Sequence, residues 1–249
     1  MAVKHESELY APLKLFFEQR GYSIKGEVRH CDLVGVKDEG YNEAPLIVEI
    51  KKTFTLALLL QGVERQKLTP NVYLAVECNR TKKGAHNQRW SEITALCRRL
   101  GLGFMTVTFY KTKTPLVDMM CTPKADVDGT SPARKSPTRS ASLLREFQER
   151  SGDYNVGGSY GTKLVTAYRE KALRIALVMK VDTTLSPKQV KEQSGIGTAG
   201  AILRDNYYGW FQRIKKGQYQ LTTIGQAALQ EYGSVIAGWD LTAASQDEP

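Results

Sequence analysis

Two oppositely charged residues lie two positions apart in an otherwise apolar segment, residues 46–52 with the sequence LIVEIKK. In a β-strand, side chains two apart point to the same face, so Glu49 and Lys51 project together, whereas Leu46, Val48 and Ile50 point to the opposite face. A carboxylate beside an ammonium is suited to phosphodiester hydrolysis. The carboxylate helps to hold a divalent cation, and the lysine orients or activates the attacking water and offsets charge on the phosphorane transition state.

This chemistry requires a second carboxylate, and Asp32 is the natural candidate. It follows the strand-like residues 26–31 and directly precedes Leu33 and Val34. A hairpin that returns into the strand of Glu49 would bring the two carboxylates side by side. The alternative interpretation is that Glu49 and Lys51 form a surface ion pair on an edge strand, which contributes little to stability.

The elements that must position these residues alternate between helix and strand. Apolar residues at helical spacing predict helices over 6–20, 55–67 and 90–100, and the intervening segments predict a pair of strands over 22–37 and single strands over 46–52, 72–77 and 103–109. The resulting order is α-β-β-β-α-β-α-β. This order predicts an α/β fold, in which helices flank the faces of a mixed sheet.

The following segment predicts a linker. Residues 115–142 contain four of the nine prolines, and residues 122–142 contain no aromatic residue and little that could be buried. We therefore expect a first domain over residues 1–118, a flexible linker over 119–142 and a different domain over 143–249.

The second half predicts a winged helix-turn-helix domain. A helix over 162–180 is followed by a short helix that begins at Ser186-Pro187 and ends at Gly195, and a third helix begins at Thr198. Two alternating strands over 210–222, joined at Lys216-Gly217, resemble a wing, and a last helix begins at residue 223.

Positive charge is concentrated in this second half. The chain has a formal net charge of +9, and residues 163–216 contribute eleven Lys or Arg against four Asp or Glu, or 11 − 4 = +7. This distribution favours nucleic acid as the partner, with DNA as the expected one. The alternative is a domain for protein interaction or dimerisation, which leaves a homodimer open. The candidate phosphate contacts lie on the helices and the wing: Lys188, Lys191, Arg204, Arg213, Lys215 and Lys216.

Cysteine and histidine usage excludes other site classes. The four cysteines are scattered without a CxxC pair, which suggests neither a zinc module nor a disulfide framework. His5, His30 and His86 have no support as metal ligands, although His30 lies close to Asp32. The chain begins without a signal-like apolar segment, and its richest apolar run, residues 56–60, is too short to span a membrane. We expect a cytoplasmic protein without a membrane partner.

Asp32, followed after sixteen residues by Glu49-Ile50-Lys51, resembles the motif of the PD-(D/E)XK nuclease superfamily. The resemblance implies a restriction-endonuclease-like sheet and a bound Mg²⁺ or Mn²⁺. Asp32, Glu49 and the backbone carbonyl of Ile50 would be the metal ligands, and Lys51 would be the catalytic lysine. Cys31 stands where many relatives have proline.

Two further positions match residues that many members place near the metal. Glu8 matches an acidic residue of the first helix, and Gln61 matches a glutamine of the helix after the motif. Arg65, four residues beyond Gln61 on the same helical face, could add a phosphate contact.

A second resemblance spans nearly the whole chain. The turn-rich segment 150–159, the segment 166–169 and the aromatic segments 206–211 and 217–222 are similar to a bacterial family of uncharacterised PD-(D/E)XK-like phosphodiesterases. Because segment 150–159 lacks a GK[ST] motif, it predicts a structural turn rather than a phosphate cradle. The leading hypothesis is a metal-dependent nuclease, and the rival hypothesis is an inactive nuclease fold that serves as a DNA-binding or regulatory protein.

Overall fold

The computed structural model describes residues 3–37, 44–79, 89–124, 136–159, 161–179 and 183–244. The chain divides into two units, Met1–Leu164 and Val165–Pro249. The elements of the first unit are a 3₁₀ helix (Glu6–Leu9), α1 (Tyr10–Glu18), β1 (Tyr22–Val28), β2 (Cys31–Lys37), β3 (Leu46–Lys51), α2 (Leu56–Arg65), β4 (Val72–Glu77), α3 (Trp90–Arg99), β5 (Gly103–Thr108), β6 (Leu116–Cys121) and α4 (Pro137–Glu149). The predicted order from the first helix to β5 is confirmed.

The six strands of the first unit form a mixed sheet in the order β1-β2-β3-β4-β5-β6. Strand β3 pairs parallel with β4, and β4 pairs parallel with β5, since α2 and α3 provide the crossover connections that parallel neighbours need. The other neighbours, β1 with β2, β2 with β3 and β5 with β6, are antiparallel. The predicted mixed sheet is therefore confirmed, with β6 as an additional edge strand.

Helices cover both faces of this sheet. Helix α1 buries Leu13 and Phe17 in a core that also contains Val48 and Ile50 of β3. On the opposite face, α2 buries Leu58 in a core that contains Ile47. The alternation predicted for β3 is confirmed, because its even-numbered residues lie in the first core and Ile47 lies in the second. Glu49 and Lys51 continue the row of Ile47.

The segment predicted as a linker belongs largely to the first unit. Strand β6 ends only at Cys121, and α4 begins at Pro137. Helix α4 buries Leu143 and Phe147 in the core beneath α2 and α3. These two apolar residues lie just beyond the polar segment that suggested a linker, so the boundary between the units falls at residues 164 and 165 instead. Residues 125–135 lie outside the described residues.

The second unit has the predicted order of helices and strands. Its elements are α5 (Ala167–Val178), α6 (Pro187–Ser194), α7 (Ala199–Asp205), β7 (Phe211–Lys215), β8 (Gln218–Leu221), α8 (Thr223–Glu231) and α9 (Gly233–Ala244). The Ser186 hydroxyl caps α6 by accepting a hydrogen bond from Gln189 N–H, and Gly195 ends it at φ +70°. Strands β7 and β8 form an antiparallel hairpin, and Leu185 adds a bridge to Tyr219. Across the described helices of both units, none has the length and apolarity needed to cross a membrane.

Candidate active site

The pairing of β2 with β3 brings Asp32 to Glu49. Leu33 lies opposite Val48 in the antiparallel register, and one further step of the same register places Asp32 opposite Glu49. The Ile50 N–H donates a hydrogen bond of 2.7 Å to Asp32 Oδ2. The structure thus brings the predicted motif residues of β2 and β3 together, as the hairpin argument expects.

Glu49 carries its carboxylate on the sheet face covered by α2, where only 1% of the residue is exposed. Burial raises the pKa of Glu49 to about 7, and the neighbouring Asp32 carboxylate adds to this effect, while Arg65 opposes it. Burial likewise raises the pKa of Asp32, and the hydrogen bond from Ile50 partly offsets this. Two carboxylates that are buried and repel each other favour a cation between them.

Lys51 projects from the end of β3. Its Nζ lies 2.9 Å from Glu6 Oε2, and Glu6 Oε1 accepts a long hydrogen bond of 3.5 Å from the Lys52 N–H. Burial acts to lower the pKa of Lys51, but the bond to Glu6 and the Asp32 and Glu49 carboxylates raise it by more. The ammonium therefore stays protonated. In that state Lys51 can orient water and neutralise charge on a phosphorane, but it cannot accept a proton.

The acidic residue of the N-terminal helix that reaches the site is Glu6, whereas the sequence suggested Glu8. Glu8 Oε1 accepts hydrogen bonds from the N–H groups of Lys4 (2.7 Å) and His5 (2.8 Å), so this side chain caps its own helix. The first turn is a 3₁₀ helix, with about three residues per turn, so residues two apart point in very different directions. The structure consequently does not bring Glu8 to Lys51.

Helix α2 places Arg65 against Glu49. Arg65 Nε donates to Glu49 Oε1 at 2.6 Å, and Arg65 Nη2 donates to the backbone oxygen of His30. These contacts differ from the phosphate contact expected for Arg65. Gln61 lies one turn earlier on α2, and its Oε1 is buried without a hydrogen-bond partner among the described residues.

One wall of the site is the glycine loop, residues 151–159. Asp153 fixes it by accepting hydrogen bonds of 2.8 Å from Gly26 N–H and from the Tyr10 hydroxyl. A Cβ atom on Gly157 would lie 2.1 Å from the backbone oxygen of Asp32, so only glycine fits there. The loop is thus packed directly on the strand that carries Asp32, as the structural turn in the sequence suggested.

The glycine loop also fixes a carboxylate that the sequence did not reveal. Gly158 N–H donates to Glu27 Oε1 at 3.0 Å. Burial raises the pKa of Glu27, and the charge of the Asp32 carboxylate adds to the rise. Glu27 adopts a φ of +50°, a left-handed conformation that few residues other than glycine adopt. No sequence pattern signals it, because the partner residue is 131 positions away.

The donor set fits a divalent cation of the Mg²⁺ type. Among the described residues, no group of three or more His, Cys, Asp or Glu side chains could hold a metal ion, and His86 lies outside those residues. Mg²⁺ is usually bound by one or two carboxylates and completes its coordination with water and substrate phosphate. In the described part of the chain, Asp32 Oδ1 and Glu49 Oε2 accept no hydrogen bond, so each carboxylate keeps an oxygen for a cation.

A mixed sheet whose neighbouring strands carry Asp32, Glu49 and Lys51 is the arrangement of PD-(D/E)XK phosphodiesterases. Residues 105–228, about half of the chain, match the model of a family described as "Putative PD-(D/E)XK phosphodiesterase (DUF2161)". This part of the chain is similar to that family. The match begins after the motif residues and includes β6, α4, the glycine loop and most of the second unit. No curated protein and no solved structure matches the chain significantly.

Proposed function

We propose that the protein is a metal-dependent phosphodiesterase that cleaves nucleic acid, with DNA as the substrate. The observation that carries this proposal is the hydrogen bond from Ile50 N–H to Asp32 Oδ2. It holds the Asp32 carboxylate beside Glu49 at the point where Lys51 also projects. The family match supports phosphodiesterase chemistry, since its description names that activity.

Each site residue has a role in this proposal. Asp32 and Glu49 hold Mg²⁺ or Mn²⁺, with the Ile50 carbonyl as a third ligand. When bound, the cation acts as a Lewis acid that polarises the phosphodiester and lowers the pKa of a coordinated water. Lys51, kept charged by Glu6, orients the attacking water and offsets the charge that develops on the phosphorane.

Gln61 has a place in the same proposal. Its buried Oε1 lacks a partner in the described residues and lies on the face of α2 that also carries Arg65. An amide oxygen in this position can accept a hydrogen bond from a water molecule of the site. We assign Gln61 a role in holding that water.

The second unit is proposed to be a winged-helix domain that recruits DNA. An isolated β-bridge between Leu185 and Tyr219, beside the two-stranded β7-β8 hairpin, supports this proposal. The side chains that would contact phosphates are all exposed: Lys188, Lys191, Arg204, Arg213, Lys215 and Lys216. Helix α7 offers the small residues Ala199, Gly200 and Ala201, which read few base edges. Binding should therefore depend on charge rather than on DNA sequence.

The enzymatic proposal is tested by incubating the full chain with single-stranded and duplex DNA and RNA, with and without Mg²⁺ or Mn²⁺. Metal-dependent cleavage is expected, and Lys51→Ala should reduce it by about 10²-fold or more, in line with the loss of a preorganised charge. Lys52→Ala is the matched control, because Lys52 contacts Glu6 only through its backbone. Absence of any metal-dependent, Lys51-sensitive cleavage would favour the rival, a non-enzymatic DNA-binding protein.

Recruitment is tested by reversing charge on the wing. The double substitution Lys215→Glu and Lys216→Glu should weaken DNA binding and lower the slope of log affinity against log salt by about 2, because each phosphate contact contributes about 0.9. Reversal of the exposed Lys111 and Lys113 in the first unit is the control. Unchanged DNA affinity in the wing variant would indicate that the second unit binds protein instead.

A further inference from the structure

The Arg65 side chain connects three elements around the site. It extends from the last turn of α2, donates from Nε to Glu49 Oε1 on β3 at 2.6 Å, and donates from Nη2 to the His30 oxygen in the β1-β2 turn. Only 13% of the side chain is exposed, and the side chain of Glu49 is 1% exposed. An ion pair this deeply buried is costly to break, because each charge would be left without compensation.

The β1-β2 turn that Arg65 contacts contains residues that are unusual for its backbone conformation. Val28 and Cys31 are paired, and the two residues between them, Arg29 and His30, have φ values of +47° and +66°. Two central residues with positive φ characterise a type I′ hairpin turn, which normally contains Asn or Gly at these positions. Arginine and histidine are strained in this conformation, so an external bond that holds the turn is structurally significant. Asp32 lies two residues after His30.

Arg65 binds only one of the two carboxylate oxygens of Glu49. Within the described residues, Glu49 Oε2 accepts no hydrogen bond, so the guanidinium and a cation can occupy different oxygens of the same carboxylate. Carboxylates that ligate metals are generally held by a hydrogen bond of this kind from an outer residue. The geometry therefore fits support of metal binding rather than competition with it.

We propose that Arg65 is a positioning residue of the metal site. It fixes the Glu49 carboxylate through Nε and the turn before Asp32 through Nη2, and so sets the spacing of the two metal ligands. This inference rests on the proposed function and deepens it. Lysine cannot replace arginine fully, because a single ammonium lacks the planar pair of donors that reaches both acceptors.

The test is a titration of the full chain with Mn²⁺, in which free Mn²⁺ is followed by its electron paramagnetic resonance signal. Arg65→Met should bind Mn²⁺ about 10- to 100-fold more weakly than the wild type, the usual effect of losing an outer hydrogen bond to a ligand. Arg65→Lys should fall between the two. Arg139→Met is the matched control. Arg139 of α4 forms an exposed ion pair of 3.0 Å with Glu64 of α2, so this substitution should leave the Mn²⁺ affinity unchanged.

Several outcomes would overturn the inference. Equal or tighter Mn²⁺ binding by Arg65→Met would show that the guanidinium competes with the cation. A higher KM for DNA at unchanged Mn²⁺ affinity would show that Arg65 is a phosphate contact. If thermal denaturation shows that Arg65→Met is unfolded, Arg65→Lys decides, and wild-type Mn²⁺ affinity in that variant rejects the inference. Failure of the proposed function would give a different result. In that case the wild type would bind no more Mn²⁺ than Asp32→Asn does.

Discussion

The charge state of Lys51 determines what this residue can contribute. Its partner Glu6 stabilises the ammonium, so in the proposed mechanism the lysine would act through its charge and its hydrogen bonds rather than as a base. A cation held by Asp32 and Glu49 would lower the pKa of the attacking water, so that its proton could pass to solvent. Glu6 is consequently important for the site, although it lies 45 positions from Lys51 in the sequence.

The distinction between Glu6 and Glu8 gives the first prediction. Glu6→Gln should lower the metal-dependent cleavage rate by about tenfold or more, because loss of a charged hydrogen-bond partner of about 1.5–3 kcal/mol leaves Lys51 less firmly held. Glu8→Gln should leave cleavage near the wild-type rate, since Glu8 contacts only Lys4 and His5. Initial rates at saturating Mg²⁺ check both variants. Equal losses in the two would contradict the assignment of Glu6.

The raised pKa of Glu49 predicts a pH dependence of metal binding. Since the pKa is about 7 in the folded protein without metal, a cation must displace a proton below that pH. The Mn²⁺ affinity should therefore fall by about tenfold for each pH unit below 7 and level off above it. Titrations between about pH 5.5 and 8.5 measure this. An affinity that is flat over this range would contradict the buried, repelled state of Glu49.

The same pKa has a consequence for stability without metal. The folded value of about 7 lies above the ordinary value of 4.5, so between these pH values the folded state binds more protons than the unfolded state. The free energy of unfolding contributed by this group is then fully present below pH 4.5 and is lost as pH rises to about 7. The Glu49→Gln variant should lack this part of the pH dependence in thermal denaturation.

How far the site could be predicted from sequence depends on how each residue is positioned. Asp32, Glu49 and Lys51 could be found because strand periodicity and hairpin pairing fix their directions. The directions of Glu6 and Arg65 depend on a 3₁₀ turn and on the docking of α2, which local spacing does not encode. Glu27 depends on a loop more than a hundred residues away. Tertiary contacts set the directions of these side chains, and no sequence motif indicates them.

At the scale of elements, the contacts of the glycine loop explain why the candidate site needs this segment, although the segment has little regular structure. It bonds to β1 through Asp153 and Gly26, and Gly157 lies against the backbone of Asp32. It also approaches the 3₁₀ helix, where a Cβ on Gly158 would lie 3.4 Å from the Cβ of Glu6. The loop therefore packs against β2 and the 3₁₀ helix, which carry Asp32 and Glu6.

Gly157→Ala is predicted to disrupt this arrangement. Its Cβ would lie 2.1 Å from the Asp32 oxygen, so either the loop or β2 must move. We expect a loss of about 1–3 kcal/mol in the free energy of unfolding, typical of overpacking, together with weaker Mn²⁺ binding. Denaturant unfolding and Mn²⁺ titration test this. Gly233→Ala at the start of α9 is the control, because no described atom lies within 4 Å of its added Cβ. Wild-type behaviour of Gly157→Ala would contradict the close packing.

The elements themselves were largely predictable, with two instructive exceptions. The β1-β2 turn contains Arg29 and His30 instead of the usual Asn-Gly, so its sequence gave no hairpin signal and only the flanking strands did. Strand β6 is an edge strand in which only Cys121 is buried, and it therefore lacks the apolar alternation that identifies strands. In both cases the tertiary structure overrides a weak local preference.

At the scale of the whole molecule, the two units divide the proposed work of cleavage and binding. The first unit contains all the residues of the candidate site, including the glycine loop, and the second contains the exposed basic residues of the helices and hairpin. The expected boundary at residues 119–142 was too early because α4 and the glycine loop are part of the first unit. A polar composition is as typical of an exposed helix surface as of a linker, and in α4 only the two buried apolar residues, Leu143 and Phe147, distinguish them.

This division predicts how fragments of the chain behave. A fragment of residues 1–164 should unfold cooperatively on heating and bind Mn²⁺, because it keeps both cores and every site residue. A fragment of residues 1–118 lacks Leu143 and Phe147, whose removal from a core costs about 2–5 kcal/mol each, and this is comparable to the stability of a whole domain. It also exposes the backbone of Gly26 and Asp32, against which the glycine loop packs. Circular dichroism should therefore show no cooperative transition for the shorter fragment.

The opposite outcome is a shorter fragment that melts at the same temperature as residues 1–164 and binds Mn²⁺ equally well. It would show that α4 and the loop are dispensable, and the boundary of the first unit would then lie where the polar segment begins.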